Sequence, residues 1–269
     1  MSSSPDSAER QRLGGRRILV VGGGQQSAGV EDPPIGNGRA ICVICARQGA
    51  SVAVADVDLA AAQETVETVR AEGARGVALA ADASEEEEVP AMIAAAEEGL
   101  GGLDGLVLNV GIGAGLGLQR TSAEDWDRVM AVNLRSHFLG LKHGLGRLAP
   151  GGSAVLIGSV AGLRVMPLPA YSASKAALEA LNRHAAIEAA PDVRVNLVVP
   201  GLIDTALGRQ ATKLYPQRAD VPIPLARQGT AWEVASTVAF LLSDEASYVT
   251  AASLVVDGGL THAPPGPAA

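Results

Sequence analysis

Short apolar runs alternate with longer amphipathic stretches along most of the chain. The runs at 17–22, 51–56, 77–81, 103–109, 153–159, 193–199 and 254–256 have the length and the bounded ends of buried strands. Between them, apolar residues recur at helical spacing over 36–48, 59–72, 85–98, 123–148, 170–189 and 231–242. Strands alternating with helices predict a parallel sheet with helices on both faces. The expected fold class is α/β, a three-layer doubly wound parallel sheet of about seven strands. No repeat or linker interrupts the pattern, so residues 15–259 read as one domain. The Ser-rich, charged stretch 1–14 reads as a disordered leader, and 260–269, with Pro264, Pro265 and Pro267, as a loose tail.

Composition changes this picture in a few places. Aromatic residues are only 3% of the chain, so a core must be built from Ala, Val, Leu and Ile. A net charge of −8 leaves no basic stripe for phosphate backbones, which argues against nucleic acid as a partner. No run reaches the roughly 18 apolar residues that span a bilayer, and 1–14 lacks the apolar stretch of a secretory signal. A cytoplasmic protein without membrane contact is expected. Cys42 and Cys45 form a C-x-x-C inside an apolar helical run, a setting that favours packing over redox chemistry. His137, His143, His184 and His262 have no metal-ligand spacing, so no metal is expected. The run Glu85-Glu86-Glu87-Glu88 is placed in the first turn of the third helix, where acidic groups suit the dipole.

Two regions carry candidate chemistry. The first follows the opening strand. Glycines there let the backbone approach a pyrophosphate at a helix N-terminus. The chain supplies Gly22-Gly23-Gly24, and then Gly36-Asn37-Gly38 opening the helix, with thirteen residues between Gly22 and Gly36. Asp56 ends the second strand, about twenty residues beyond Gly36 and Gly38. At that spacing a carboxylate accepts hydrogen bonds from an adenosine ribose. The same charge repels the 2′-phosphate of NADP. Asp58 reads as a helix cap.

The second region is Tyr171-Ser172-Ala173-Ser174-Lys175, with Ser159 upstream in Gly158-Ser159-Val160-Ala161-Gly162. Residues four apart on a helix share a face, so Tyr171 and Lys175 project side by side. A phenol has a reference pKa of roughly 10, and an ammonium beside it favours the phenolate. Tyr171 is thus a candidate general acid/base, and Ser159 a candidate hydrogen-bond partner of the same substrate oxygen. Taken alone, Y-x-x-x-K also fits a surface Tyr and Lys on an ordinary helix.

Taken together, and in this order, the glycine loop, Asp56, Asp82-Ala83, Asn109-Val110-Gly111, Val132-Asn133-Leu134, Ser159, Tyr171 with Lys175, and Pro200-Gly201 running to Thr205 resemble the single-domain branch of the short-chain dehydrogenases/reductases. The resemblance covers about 15–259. It implies Tyr171 as proton donor or acceptor, Lys175 as the residue that lowers its pKa and binds the nicotinamide ribose, and Ser159 as the group orienting the substrate oxygen. Asn133 is implied to hold a relay water. For the cofactor it implies Gly22, Gly24, Ile35, Asn37 and Gly38 in the phosphate loop and Asp82 facing the adenine. Asn109 and Gly111 line the adenosine side, and Ile203 and Thr205 meet the carboxamide. Val57, Ala83, Val110 and Pro200 join the same contact set. A homotetramer is implied as well, with interfaces on helices 123–148 and 170–189 and on the last strand near Val255.

Three departures from the family pattern stand out. The usual glycine loop has three residues between its first two glycines, so this one carries about ten more. That enlargement predicts a bulged loop that covers the cofactor as a flap. The usual Asn-Asn-Ala-Gly reads Leu108-Asn109-Val110-Gly111, and Ser159 stands one residue closer to Tyr171 than the family pattern.

Beyond Tyr171, the apolar positions among 202–225 and 163–166, and in 112–116, suggest a hydrophobic ketone or secondary alcohol. Arg164 and Arg209 are the cations considered for a substrate carboxylate, against solvated positions for both. The expected protein is an NAD(H)-dependent oxidoreductase interconverting a secondary alcohol and its ketone. The alternatives are an NADPH-dependent 3-oxoacyl-thioester reductase and a non-catalytic nucleotide-binding scaffold.

Overall fold

The structure, a computed structural model, describes residues 11–26 and 29–262. Strands β1 (Arg17–Val21), β2 (Ser51–Asp56), β3 (Gly76–Ala80), β4 (Leu103–Leu108), β5 (Leu148–Ile157), β6 (Val193–Pro200) and β9 (Ser253–Val256) form one sheet. Their order is β3-β2-β1-β4-β5-β6-β9, and every pairing is parallel. A two-stranded pair, β7 (Ile203–Asp204) with β8 (Gly229–Thr230), stands apart. The helices are α1 (Asn37–Arg47), α2 (Leu59–Ala71), α3 (Glu88–Leu100), the short α4 (Gly117–Arg120), α5 (Ala123–Met130), α6 (Ser136–Gly144), α7 (Pro169–Ala189), α8 (Ala206–Leu214) and α9 (Ala231–Leu242).

The apolar runs of the central strands are continuous because these strands are buried on both faces. In β1, Ile18 and Val20 pack into a core shared with Ile41 and Cys45 of α1, Val66 of α2 and Val234 of α9. Leu19 and Val21 point the other way, into a core with Ile93 of α3, Leu139 of α6 and Leu178 of α7. Strand order reverses between β1 and β4, so a crevice opens at their carboxyl ends, where open α/β sheets hold ligands. Cys42 and Cys45 are free and fully buried, and burial pushes both thiols up, Cys45 to about 12. They are packing residues. Among the described residues no helix is long and apolar enough to cross a membrane.

Several boundaries differ from the sequence-based expectation, each for a visible reason. The third helix begins at Glu88. Before it, the Asp82 carboxylate accepts from the Ser84 N–H (2.9 Å) and hydroxyl (2.7 Å), and the Glu88 carboxylate reaches back to the Asp82 N–H (2.8 Å). This turn uses up the first part of the acidic run. Glu85 and Glu86 then pair with Arg135 and Lys142 rather than cap a dipole. The helix expected over 123–148 is interrupted by a π turn at Ala131–Arg135, and after α6 one 3₁₀ turn (Leu145–Arg147) leads directly into β5. β5 therefore starts at Leu148, not 153.

Residues 11–14 and 260–262, expected in the leader and the tail, pack onto the domain. Leu13 is fully buried and its N–H donates to the Gln48 carbonyl (3.0 Å). Leu260 is buried too, and the Asp257 carboxylate holds the N–H groups of Gly259 (2.8 Å) and Thr261 (2.6 Å). The rest of both segments, 1–10 and 263–269, lies outside the described residues.

Candidate active site

Tyr171 and Lys175 stand one turn apart near the start of α7, after a Pro at its first position. The Lys175 Nζ lies 5.9 Å from the Tyr171 ring centre. It is buried and donates to the Ile157 carbonyl at the end of β5 (2.9 Å). Ser159 follows that strand end and caps a 3₁₀ turn (Val160–Gly162), its Oγ accepting from the Ala161 N–H (3.2 Å). The Ser159 hydroxyl also acts on the Tyr171 phenol, drawing its titration down. The shorter spacing between the two is absorbed by this turn, so Ser159 still acts on Tyr171.

Asn133 sits in the π turn. Its Oδ1 accepts from the Ile112 N–H (2.8 Å), and its Nδ2 donates to the Ile112 carbonyl (2.9 Å) and the Ser174 hydroxyl (3.1 Å). These bonds reach the loop after β4, and π turns of this kind are frequent at functional sites. A methyl group at Gly111 would lie 3.3 Å from the Lys175 Nζ and 3.8 Å from Asn133 Oδ1. Gly111, Asn133, Ser159, Tyr171 and Lys175 therefore converge on one end of the crevice.

The glycine cluster forms the other end. Gly22 has φ +76° and turns the chain out of β1. Its carbonyl accepts from Asn109 Nδ2 (2.7 Å), and a methyl group at Gly38 would lie 2.0 Å from that same oxygen. α1 thus approaches the strand ends as closely as backbone allows. Gly36 caps α1 without a side chain, and its own N–H donates to Gln25 Oε1 (3.2 Å). The first-turn N–H groups have no acceptor within the helix. Asn37 Oδ1 is buried there with no hydrogen-bond partner among the described residues. Asp56 Oδ2 accepts from the Gly24 N–H (2.9 Å) and Oδ1 from the Asp58 N–H (3.1 Å), while Asp58 caps α2.

A family model described as enoyl-(acyl carrier protein) reductase matches residues 35–261. The chain is 38% identical over 261 residues to 2-(S)-hydroxypropyl-CoM dehydrogenase 3 of Xanthobacter autotrophicus, covering 93% of this chain and 98% of the relative. It is 35% identical over 261 residues to cyclopentanol dehydrogenase of a Comamonas species, with the same coverage. The crystal structure of a short-chain type dehydrogenase/reductase from Mycobacterium marinum, 27% identical, superposes with a TM-score of 0.84 over 94% of this chain and 98% of the other. The chain belongs to the short-chain dehydrogenase/reductase family.

As a short-chain dehydrogenase/reductase it uses a nicotinamide nucleotide, and the crevice fits one. The free first turn of α1 suits a pyrophosphate, and the orphaned Asn37 Oδ1 lacks a donor of the kind a nucleotide's hydroxyl groups provide. Ile35 packs at the same helix entry, and Val57 is exposed just after Asp56. Not every residue of the implied contact set has its polar atoms free. The Asp82 carboxylate is turned onto Ser84, with Ala83 buried beside it. The Thr205 hydroxyl caps α8 by accepting from the Gly208 N–H (3.0 Å). Pro200 ends β6 and Ile203 is buried in β7, next to Gly229. Val110 is half-buried against the core and approaches Gly22.

Burial dominates the electrostatics of the Tyr171–Lys175 pair in this short-chain dehydrogenase/reductase. Burial pushes the Tyr171 phenol up, opposed by the Ser159 hydroxyl and by the charge of Arg218. Burial also pushes the Lys175 ammonium down to about 7. The group expected to draw the phenol down is therefore itself partly discharged at neutral pH. Sequence reasoning missed Arg218, which lies in a 3₁₀ turn (Pro216–Asp220), because it singled out Arg164 and Arg209 in the same region. It also left unassigned the fully buried His137, one turn beyond Asn133, whose ring burial and the Lys175 charge push well below its ordinary value.

Proposed function

We propose that this chain interconverts a hydrophobic secondary alcohol and its ketone with NAD(H), using Tyr171 as general acid/base. The observation that carries this reading is the placement of Ser159, at the end of β5, with Tyr171 and the buried Lys175, at the start of α7, at one end of a crevice whose other end suits a nucleotide. When bound, the nicotinamide supplies the hydride acceptor in oxidation and the donor in reduction. In the oxidising direction Tyr171 Oη takes the carbinol proton and Ser159 orients the carbinol oxygen. Lys175 supports the phenolate whenever it is charged. Asn133 holds the π turn against the loop at Ile112 and, in this reading, positions the relay water. The relatives named for cyclopentanol and hydroxypropyl-CoM support an alcohol as substrate.

NAD rather than NADP is favoured by Asp56 at the end of β2. Val57 and Asp58 follow it, and no basic residue stands there to meet a 2′-phosphate. Arg39, on α1, is held by Glu64 (2.9 Å) and Thr65 (2.9 Å). A cytoplasmic homotetramer completes the proposal. An apolar groove lined by Met130, Leu134, Phe138 and Leu181, along α5, α6 and α7, is the support for packing against a second copy.

Paired fluorescence titrations with NADH and NADPH test the cofactor assignment. Tighter NADH binding is expected, and equal or tighter NADPH binding would overturn it and bring forward thioester reduction. Oxidation of cyclopentanol or cyclohexanol with NAD tests the substrate class. Tyr171→Phe should retain NADH binding and lose at least about 100-fold in turnover. An active Phe variant refutes the acid/base assignment.

A further inference from the structure

The π turn at Ala131–Arg135 is bonded to both ends of the crevice. Asn133, at its centre, takes the N–H (2.8 Å) and the carbonyl (2.9 Å) of Ile112 in the loop after β4, and donates to the hydroxyl of Ser174, the residue before Lys175 (3.1 Å). Arg135 ends the turn and points elsewhere, because residues two apart on a helix do not share a face. Its Nε donates to the Ser84 carbonyl (2.9 Å), and its Nη2 stands 3.5 Å from the Glu85 carboxylate. The ion pair is exposed and contributes little. The bond to the backbone carbonyl is the one that fixes the contact.

Ser84 belongs to the turn between β3 and α3, and that turn lies at the nucleotide end. Just before it the Ala81 N–H donates to the Asp56 carbonyl (3.0 Å), and the Asp56 carboxylate holds the Gly24 N–H (2.9 Å). Inside it the Asp82 carboxylate is spent on Ser84, and the Asp82 N–H on Glu88. These bonds stiffen residues 82–84, so the Ser84 carbonyl moves with the whole turn. From Ser84 to Ile112 the route is one turn of helix with a hydrogen bond at each end. A π turn is rare inside helices, and here bonds to two different loops hold residues 133 and 135 in it. The continuous α register would turn both side chains away from those partners. It is the second arrangement that a coupling between sites requires.

We propose that Arg135 is a positioning residue that couples the nucleotide end of the crevice to the catalytic end. A nucleotide seated against the 82–84 turn tightens the hold of Asn133 on Ile112. The loop after β4 is then firm only when the adenosine half of the cofactor is in place. This deepens the nucleotide reading of the crevice and rests on it.

Hydrogen exchange followed by mass spectrometry tests the coupling on the full chain, with ADP as the probe. ADP carries the adenosine half and the diphosphate and stops short of the catalytic end. It should displace bound NADH and slow exchange in the peptide containing Ile112, whose N–H is held by Asn133, by about fivefold or more, the lower end of coupling between sites. In Arg135→Met, with ADP raised until NADH is displaced to the same extent, that slowing should vanish. Arg135→Lys should keep part of it, since an ammonium still donates to a carbonyl. A variant with a merely looser fold would exchange faster with and without ADP and keep the ratio. Unchanged slowing in the Met variant overturns the proposal. So does exchange at Ile112 that ignores ADP in the unmodified protein, a result that needs no folded variant. ADP that leaves bound NADH in place overturns it too, because the 82–84 turn then meets no adenosine. Failure of NADH itself to bind sinks the nucleotide reading as well. NADH binding with Ile112 unmoved by ADP sinks the coupling alone.

Discussion

Replacing Lys175 by methionine keeps most of the apolar stem of the side chain and removes its charged end. Burial holds the native amine at about 7, against an ordinary value of 10.5. Between these two values the unfolded chain keeps a proton that the folded chain has released. A base depressed in this way makes stability rise with pH across the window, and its penalty is full below it. From pH 7 to pH 9 this single group should add about 2 kcal/mol to the stability of the unmodified protein. At pH 7 the methionine variant escapes a penalty of about 4 kcal/mol. Against that it leaves the Ile157 carbonyl without its bond, at a cost of about 1–3 kcal/mol that does not change with pH. The variant should therefore match or exceed the parent at pH 7 and lose that advantage by pH 9. Urea unfolding of both proteins at pH 7, 8 and 9, followed by circular dichroism, reads the gap directly. Other titrating groups are common to both proteins and cancel. A gap constant to within about 0.5 kcal/mol over that range would refute the picture of a lysine discharged by burial.

Three further outcomes follow from the packing. Gly38→Ala puts a methyl group 2.0 Å from the Gly22 carbonyl, so α1 must move and NADH affinity should drop at least about tenfold, as read by fluorescence titration. Gly36→Ala meets open space and serves as the stability control. Asn133→Ala strands the N–H and carbonyl of Ile112 and should cost about 2–4 kcal/mol in chemical denaturation; a loss under about 0.5 kcal/mol would mean that water replaces the side chain. Cys42 and Cys45 should resist a thiol reagent in the folded protein and react once urea unfolds it, because both are buried with raised pKa values. Rapid labelling in the native state would contradict their packing role.

The central strands were legible because each is covered on both faces and so writes a continuous apolar run. The Tyr171–Lys175 pair was legible because helical spacing alone puts the two residues together. The π turn was not, since apolar periodicity runs on through 123–148 and the break arises from Asn133 reaching the distant Ile112 backbone. The start of α3 was misplaced for a similar reason. Four glutamates in a row look like a dipole cap, and only the fold shows Asp82 and Ser84 closing a turn ahead of them. Leu13 reads as part of a polar leader until the Gln48 carbonyl is seen to hold it.

The clasp between Asp56 and Gly24 has an evolutionary consequence. The carboxylate assigned to the ribose also holds the enlarged glycine loop by a backbone N–H, and a methyl group at Gly24 would lie 2.6 Å from its Oδ2. Under the role proposed for Asp56, preference for one dinucleotide and the shape of the loop are therefore inherited together. A lineage drifting towards a phosphorylated cofactor cannot simply trade Asp56 for a small or basic residue, because that would also unfasten the loop. Its accessible route runs through asparagine, which sheds the charge and keeps an acceptor for Gly24, before any cation is introduced nearby.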